Sequence, residues 1–157
     1  MLCPYLAIEN RFALDDENKY LGLTDTTILY EANQPESLHY LLGLLNSRLL
    51  TFRFRFIGKL KSGGILEYFW NSISKLSIRR IDFSDVRDVA RHDRLTQLVK
   101  RMIKTKQQLT EATTDYDKNL YGRKCVNLDY QINMLVYELY DLTDEEIGII
   151  ETEAPNT

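Results

Sequence analysis

Two stretches with helical apolar periodicity constrain this chain most. In "DRLTQLVKRMIKTKQQLTEA" (93–112), Leu95, Leu98, Val99, Met102, Ile103 and Leu109 fall on one stripe, with charges elsewhere. In "NLDYQINMLVYELY" (127–140), Leu128, Ile132, Leu135, Val136 and Leu139 do the same. Twenty helical residues span about 30 Å, so each stripe needs a long apolar counterpart. Joined by a connector, the two helices are expected to pack antiparallel, anchored by Leu98, Met102, Leu135, Val136 and Leu139. "TTDYDKNLYGRKC" (113–125) reads as that connector, a loose one. Thr143 followed by Glu146 is a capping-box spacing, which starts a short third helix.

The rest of the chain has other periods. "PYLAIENRFAL" (4–14), "KYLGL" and "TTILYEA" read as a meander of short strands, with "DDEN" (15–18) as a turn. In "NQPESLHYLLGLLNS", Leu38, Leu41, Leu42 and Leu45 share a helical face, and Pro35 sits where a helix can begin. Asn46-Ser47 ends or interrupts that helix. Residues 48–57 read better as helix than strand, with Leu45, Leu49, Phe52 and Phe56 in line. "GKLKSGG" (58–64) is a loop by composition. A short strand, a helical turn near "WNSIS" with Trp70 as a packing residue, and a strand at "KLSIRRI" (75–81) follow. The fold class is α+β: a mixed β-sheet globule with flanking helices, then an antiparallel pair of long helices. The expected division is a globule over 1–90, the helical pair and short helix over 91–151, and a disordered tail over 152–157.

Charge is sorted along the chain. Its 157 residues carry a net charge of −3, yet residues 48–80 hold eight Lys/Arg and one acid, Glu67, for +7. Residues 1–47 and 81–157 each carry −5. Sorted charge of this kind usually has a partner. Lys and Arg neutralise phosphates, and glycine lets backbone approach them closely.

Other chemistry is sparse. There is no GxGxxG and no GxxxxGK[ST] run, and no local signature of a Ser/His/Asp arrangement. Two isolated cysteines, Cys3 and Cys125, and two histidines, His39 and His92, make a zinc site improbable, and no metal site is expected. The histidines read as packing or capping residues. No apolar run approaches the ~18 residues of a membrane span, so the expectation is a soluble cytoplasmic protein with no membrane partner.

Several pieces, in order, resemble a known family: "HYLLGLLNSRLLTFRFRF", a Gly/Lys loop, "KLSIRRIDFSD", "RLTQLVKRMIKTKQQL" and "LDYQINMLVYELYDLTDEEIGIIE". The chain resembles the TaqI-like C-terminal specificity domain, the target recognition domain of type IIG and related adenine-specific restriction-modification enzymes. It is also similar to the recognition domains of type I specificity subunits. The last piece, Leu128 through Ile147, is the most specific. Ser77 stands where the family typically has a proline.

The resemblance implies sequence-specific recognition of double-stranded DNA on behalf of an adenine-N6 methyltransferase. The Asn/Asp-Pro-Pro-Tyr/Phe run and the glycine motif for S-adenosylmethionine are not in these residues. The chain therefore reads as a fragment of a larger protein and not as an enzyme by itself. No cofactor is expected in this chain. S-adenosylmethionine would belong to the parent methyltransferase, whose catalytic domain would be a partner in cis or as a separate subunit, with or without a nuclease.

On this reading the cationic middle faces DNA. Arg53, Arg55, Lys59 and Lys61 are the phosphate candidates, and Ser62, Gly63, Tyr68 and Asn71 the candidates for close approach or base edges. At least one of Arg79 and Arg80 is expected to face away. Lys104 and Lys106, on the polar side of a helix stripe, are expected not to touch DNA. The competing reading is a protein-interaction module that docks a partner through its amphipathic helices, in which case their apolar stripes would stay exposed.

Overall fold

The computed structural model describes residues 1–15, 25–29 and 34–153. Strands β1 (Leu2–Pro4) and β3 (Thr26–Ile28) pair antiparallel, with Cys3 opposite Thr27. Leu2 also exchanges two 2.8 Å backbone hydrogen bonds with Ala13, so the N-terminal segment folds back beside β1. A second antiparallel sheet has the order β2 (Leu6–Ala7), β5 (Leu66–Glu67), β4 (Lys59–Leu60). Except for Asp15, the expected turn at 15–18 and the strand at 19–23 lie outside the described residues.

Helix α1 spans Leu38–Leu45 and α2 spans Arg48–Ile57. The start of α1 is set by Ser37, whose Oγ accepts from the Tyr40 N–H at 3.0 Å, rather than by Pro35. Asn46 and Ser47 do break the chain into two helices. Ser47 Oγ accepts from the Leu50 N–H at 3.2 Å and so starts α2. Helix α2 buries a different face from the one expected. Leu50 and Phe54 are in the core, whereas Phe56 is 68% exposed and Phe52 is half-buried. Both faces of α2 are apolar at helical spacing. Tyr68, just after β5, is stacked on Phe54 at 4.4 Å between ring centroids and decides which one is covered.

A short helix, α3 (Trp70–Ile73), follows the second sheet. Residues 75–81, expected as a strand, form none: Lys75 and Leu76 continue the turn that ends α3, and 77–81 have no regular secondary structure. From Ser77 to Ile81, side chains rather than a neighbouring strand bond several of the backbone groups. Tyr40 Oη donates to the Arg79 carbonyl at 2.8 Å, and the Arg79 N–H donates to Tyr140 Oη at 3.1 Å. Tyr140 Oη donates to the Ser77 carbonyl at 2.8 Å, and the Ile81 N–H donates to Glu36 Oε1 at 3.1 Å. The segment is a strap across the helices.

The long pair is α4 (Val86–Glu111) and α5 (Asp115–Leu139), antiparallel, followed by α6 (Asp144–Glu153). Leu95, Leu98, Val99, Leu128, Ile132, Leu135, Val136 and Leu139 are all buried in one core with α1 and α2. Close approach of α1 to α4 uses Gly43, where an added Cβ would lie 2.8 Å from Val99 Cγ2. Helix α4 starts earlier than the periodicity indicated, because Asp85 caps it by accepting from the Arg87 N–H at 2.8 Å. The loose connector is mostly helix. Thr114 Oγ1 accepts from the Asp117 N–H at 3.1 Å and donates to Asp117 Oδ2 at 2.7 Å, so α5 begins at Asp115. The expected capping box of α6 is present, with the Thr143 N–H donating to Glu146 Oε2 at 2.8 Å. Of the tail expected at 152–157, Thr152 and Glu153 belong to α6 and 154–157 lie outside the described residues. No helix among the described residues is long and apolar enough to cross a membrane.

Candidate nucleic-acid interface

The glycine-rich stretch is the turn of a hairpin. Lys59 pairs with Glu67 and Leu60 with Leu66 across β4 and β5, and the Lys61 N–H donates to the Ile65 carbonyl at 2.7 Å. Between them Ser62, Gly63 and Gly64 form one tight exposed turn. Gly63 and Gly64 both have φ near +76°, a region that favours glycine, which is why this turn is built from two of them. The hairpin stands on a fully buried Leu66.

Both hairpin lysines converge on one carboxylate. Lys59 Nζ lies 3.2 Å from Glu67 Oε2, and Lys61 Nζ lies 3.4 Å from Glu67 Oε1. Tyr5 Oη donates to the same Oε1, and the Lys61 ammonium sits 5.6 Å from the centroid of the Tyr5 ring. The Glu67 side chain is buried beneath these groups, while the Lys59 and Lys61 side chains remain 73% and 41% exposed. The hairpin therefore presents two accessible ammonium groups over a buried counter-charge.

The other candidates divide. Ser62 and Gly63 are exposed at the tip, and Asn71 is exposed on α3. Arg53 is exposed on α2 and makes no ion pair among the described residues. Arg55 Nη1 donates to the Glu153 carbonyl of α6. Tyr68 is not a surface residue. It is fully buried, stacked on Phe54 and edge-on to Phe12, and its Oη donates to Asn10 Oδ1 at 2.9 Å. Burial also raises its hydroxyl pKa above the ordinary tyrosine value. It cannot meet a base edge in this arrangement. The alternation of strand β5 and the residue after it turns Tyr68 inward, where Phe54 waits.

Residues that residue order alone does not single out for a site stand beside the hairpin. Trp70, expected to pack, is 60% exposed, and Phe69 and Leu60 are also exposed. Phe69 meets Tyr5 edge-on at 6.4 Å, so Lys61, Tyr5 and Phe69 form one aromatic–cationic ridge. No periodicity in a short, irregular segment could have marked these side chains as exposed.

The cationic block of 48–80 is less free than its sequence suggests. Arg48 pairs with Glu151 and stands 3.9 Å from Asp129. Arg79 pairs with Asp88 at 3.0 Å and Arg80 with the buried Glu36 at 2.7 Å. Both strap arginines are thus structural. Burial raises the Glu36 pKa, but hydrogen bonds from Arg80 and the Ile81 N–H outweigh it and hold the carboxyl below its ordinary value. At Asp88 the Asp82 N–H, with Arg79 and Arg91, lowers the carboxyl against the opposing effect of burial.

Other chemistry-bearing groups are structural too. His92 is buried, with Nε2 accepting from the Ser37 N–H at 3.0 Å and Nδ1 facing Asp93 Oδ1 at 2.9 Å. Cys3 and Cys125 are free and buried, and burial pushes the Cys3 thiol up to about 12, far from a reactive thiolate. No cluster of three or more metal-ligating side chains occurs among the described residues.

No family model matches the chain. Over 98 residues, 62% of its length, it is 32% identical to the Type II methyltransferase M.HincII of Haemophilus influenzae. It is likewise 32% identical over 98 residues to the Type II methyltransferase M.HindII of the same species. The matched segment is 19% of the first protein and 18% of the second, so the chain spans about a fifth of the length of the curated relatives it matches. The similarity is thus to a limited segment of two type II methyltransferases.

Proposed function

We propose that this chain is a DNA target-recognition segment of a restriction-modification methyltransferase, of the TaqI-like specificity type that acts for an adenine-N6 enzyme. The likeness to a limited segment of two type II methyltransferases carries the reading. The exposed hairpin supports it from the side of geometry. Lys59 and Lys61 would contact phosphates. The Ser62-Gly63 turn would bring backbone close to a groove, and Asn71, beside Phe69 and Trp70, would reach base edges. Arg53 and Arg55 would extend the phosphate contact along α2.

In this reading methyl transfer happens elsewhere. S-adenosylmethionine and the pocket for an extruded base belong to a catalytic domain, in cis or as a separate subunit. No residue described here is assigned to either. The chain alone should transfer no label from tritiated S-adenosylmethionine to DNA.

Fluorescence anisotropy of a labelled duplex, titrated at several salt concentrations, tests the hairpin. Each phosphate contact contributes about −0.9 to the slope of log K against log salt. Lys59→Ala with Lys61→Ala should flatten that slope by up to about 2 units. An unchanged slope, with binding intact, would remove the hairpin from the DNA face.

The protein-docking reading needs exposed apolar stripes on α4 and α5. Leu95, Leu98, Val99, Leu128, Ile132, Leu135, Val136 and Leu139 are instead buried inside the chain's own core. Their burial supports the DNA reading over docking through these stripes, although Met102, Ile103 and Leu109 are half-buried and α5 exposes Val126, Tyr130 and Met134.

A further inference from the structure

A second cationic surface is hidden by the overall charge. Residues 81–157 carry a net −5, but their acids are gathered elsewhere in that segment. Residues 94–110 and 118–128 hold eight Lys/Arg between them and no Asp or Glu. The antiparallel pairing of α4 and α5 lays these two acid-free stretches side by side. Between them lies an open cleft of about 460 Å³. Arg101, Lys104 and Gln108 line it from α4, and Arg123, Lys124 and Asn127 from α5.

This patch differs from the first one. Around the hairpin and strap, five of the eight cations are tied to carboxylates. None of the eight cations in 94–110 and 118–128 makes an ion pair among the described residues. Arg101, Lys104, Arg123 and Lys124 are all exposed, and Lys124 Nζ rests 5.2 Å from the Tyr121 ring centroid. Four like charges facing one another across a cleft repel, and an anion placed between them removes the repulsion.

The dimensions suit a nucleic-acid strand. Helical residues 101 to 108 rise about 10 Å, and one strand of a duplex presents a phosphate about every 3.4 Å along its axis. The cleft therefore faces about three successive phosphates. Two guanidinium groups offer forked donors to phosphate oxygens, and the Gln108 and Asn127 amides add neutral ones.

We infer that the α4–α5 cleft is a second, sequence-independent DNA contact that grips a phosphate backbone while the hairpin reads the target. The inference rests on the proposed recognition role. It reverses the expectation that Lys104 stays clear of DNA.

The test is a salt series by fluorescence anisotropy, using the full chain and a labelled duplex. Exchanging Arg101, Lys104, Arg123 and Lys124 for Gln should weaken binding equally for duplexes of different sequence. It should flatten the slope of log K against log salt by about 2 to 3 units. The charge-preserving pair Lys104→Arg and Lys124→Arg should keep the slope. Two double variants, Arg101→Gln with Lys124→Gln and Lys104→Gln with Arg123→Gln, carry the same test should the quadruple variant lose its helical circular dichroism. An unchanged slope in the cleft variants, while the Lys59/Lys61 variant flattens, would sink the cleft and leave the recognition reading standing. The reverse pattern would support the cleft and sink the hairpin. Failure of the unaltered chain to bind any duplex, with retention of poly-glutamate instead, would overturn both in favour of an acidic protein partner.

Discussion

Lys59 and Glu67 face each other across the hairpin, with Nζ 3.2 Å from Oε2. The carboxylate is buried and the ammonium is not, so the pair holds the lysine at the hairpin surface while offsetting part of its charge. Glu67 also holds Lys61 at 3.4 Å. A phosphate arriving at the hairpin competes with this carboxylate for both lysines.

Glu67→Gln should therefore tighten duplex binding. Glutamine keeps the shape and can still accept from Tyr5 Oη. Exposed ion pairs are worth about 0.2–1 kcal/mol each, so releasing two corresponds to an affinity gain of about two- to thirtyfold. Isothermal titration of a duplex at low salt measures this. Weaker binding would mean that Glu67 orients the lysines more than it masks them.

Tyr68 and Asn71 should separate stability from binding. Tyr68→Phe removes the donor to Asn10 Oδ1 inside the core, and an unmet buried acceptor costs about 1–3 kcal/mol. Urea melts should show that loss while the folded protein binds DNA as before. Asn71→Ala, at an exposed position, should leave the melt unchanged and weaken binding. A DNA defect in Tyr68→Phe with normal stability would restore Tyr68 to the interface.

Leu135 reports on the helical core. It is 3% exposed, in one cluster with Leu98 and Leu139. Leu135→Ala should cost about 2–5 kcal/mol in unfolding free energy. A loss below about 0.5 kcal/mol would mean that α5 is peripheral to the cooperative unit.

Acid should loosen the strap. Glu36 and Asp88 both have folded-state pKa values below ordinary carboxylate values. Their contribution is whole above the unfolded carboxylate range, about pH 4 to 5, and is lost as pH falls through the depressed folded values. Asp129 works the other way. Burial raises its carboxyl, with Arg48 and Lys106 only partly opposing, so protonation relieves a penalty there. Asp82, held low by hydrogen bonds from Ser84, acts in the same direction as Glu36 and Asp88, so with three groups against one the urea midpoint should fall below about pH 4. The double variant Glu36→Gln with Asp88→Asn should lose less between pH 5 and pH 2. Parallel pH profiles for the two proteins would contradict the assignment.

Much of the architecture was legible from residue order alone. Leu95, Leu98 and Val99, with Leu128, Ile132 and Leu135, announce two long helices because a stripe repeating at helical spacing has few other ways to leave water. Thr143 and Glu146 mark the start of α6 because a capping box closes within one turn. The same local signals were present but outweighed at Thr114 and Asp117, where a polar stretch with Gly122 looked unstructured. These features depend on neighbours a few residues apart, and sequence records such neighbours directly.

The site depended on contacts that sequence order does not record. Residues 48–80 read as a free cationic block, yet Arg48 finds Glu151, 103 residues away, and Arg80 finds Glu36. Tyr68 sits two positions past Leu66 and looks as available as Asn71, but Phe54 covers one and solvent meets the other. The net −5 of residues 81–157 concealed the cations of 94–110 and 118–128 until α4 and α5 lay side by side. Sequence determined which segments would be helical and which charges the chain carried. Only the tertiary structure decided which of those charges stayed free, because an ion pair needs two groups within about 4 Å, whatever their separation along the chain.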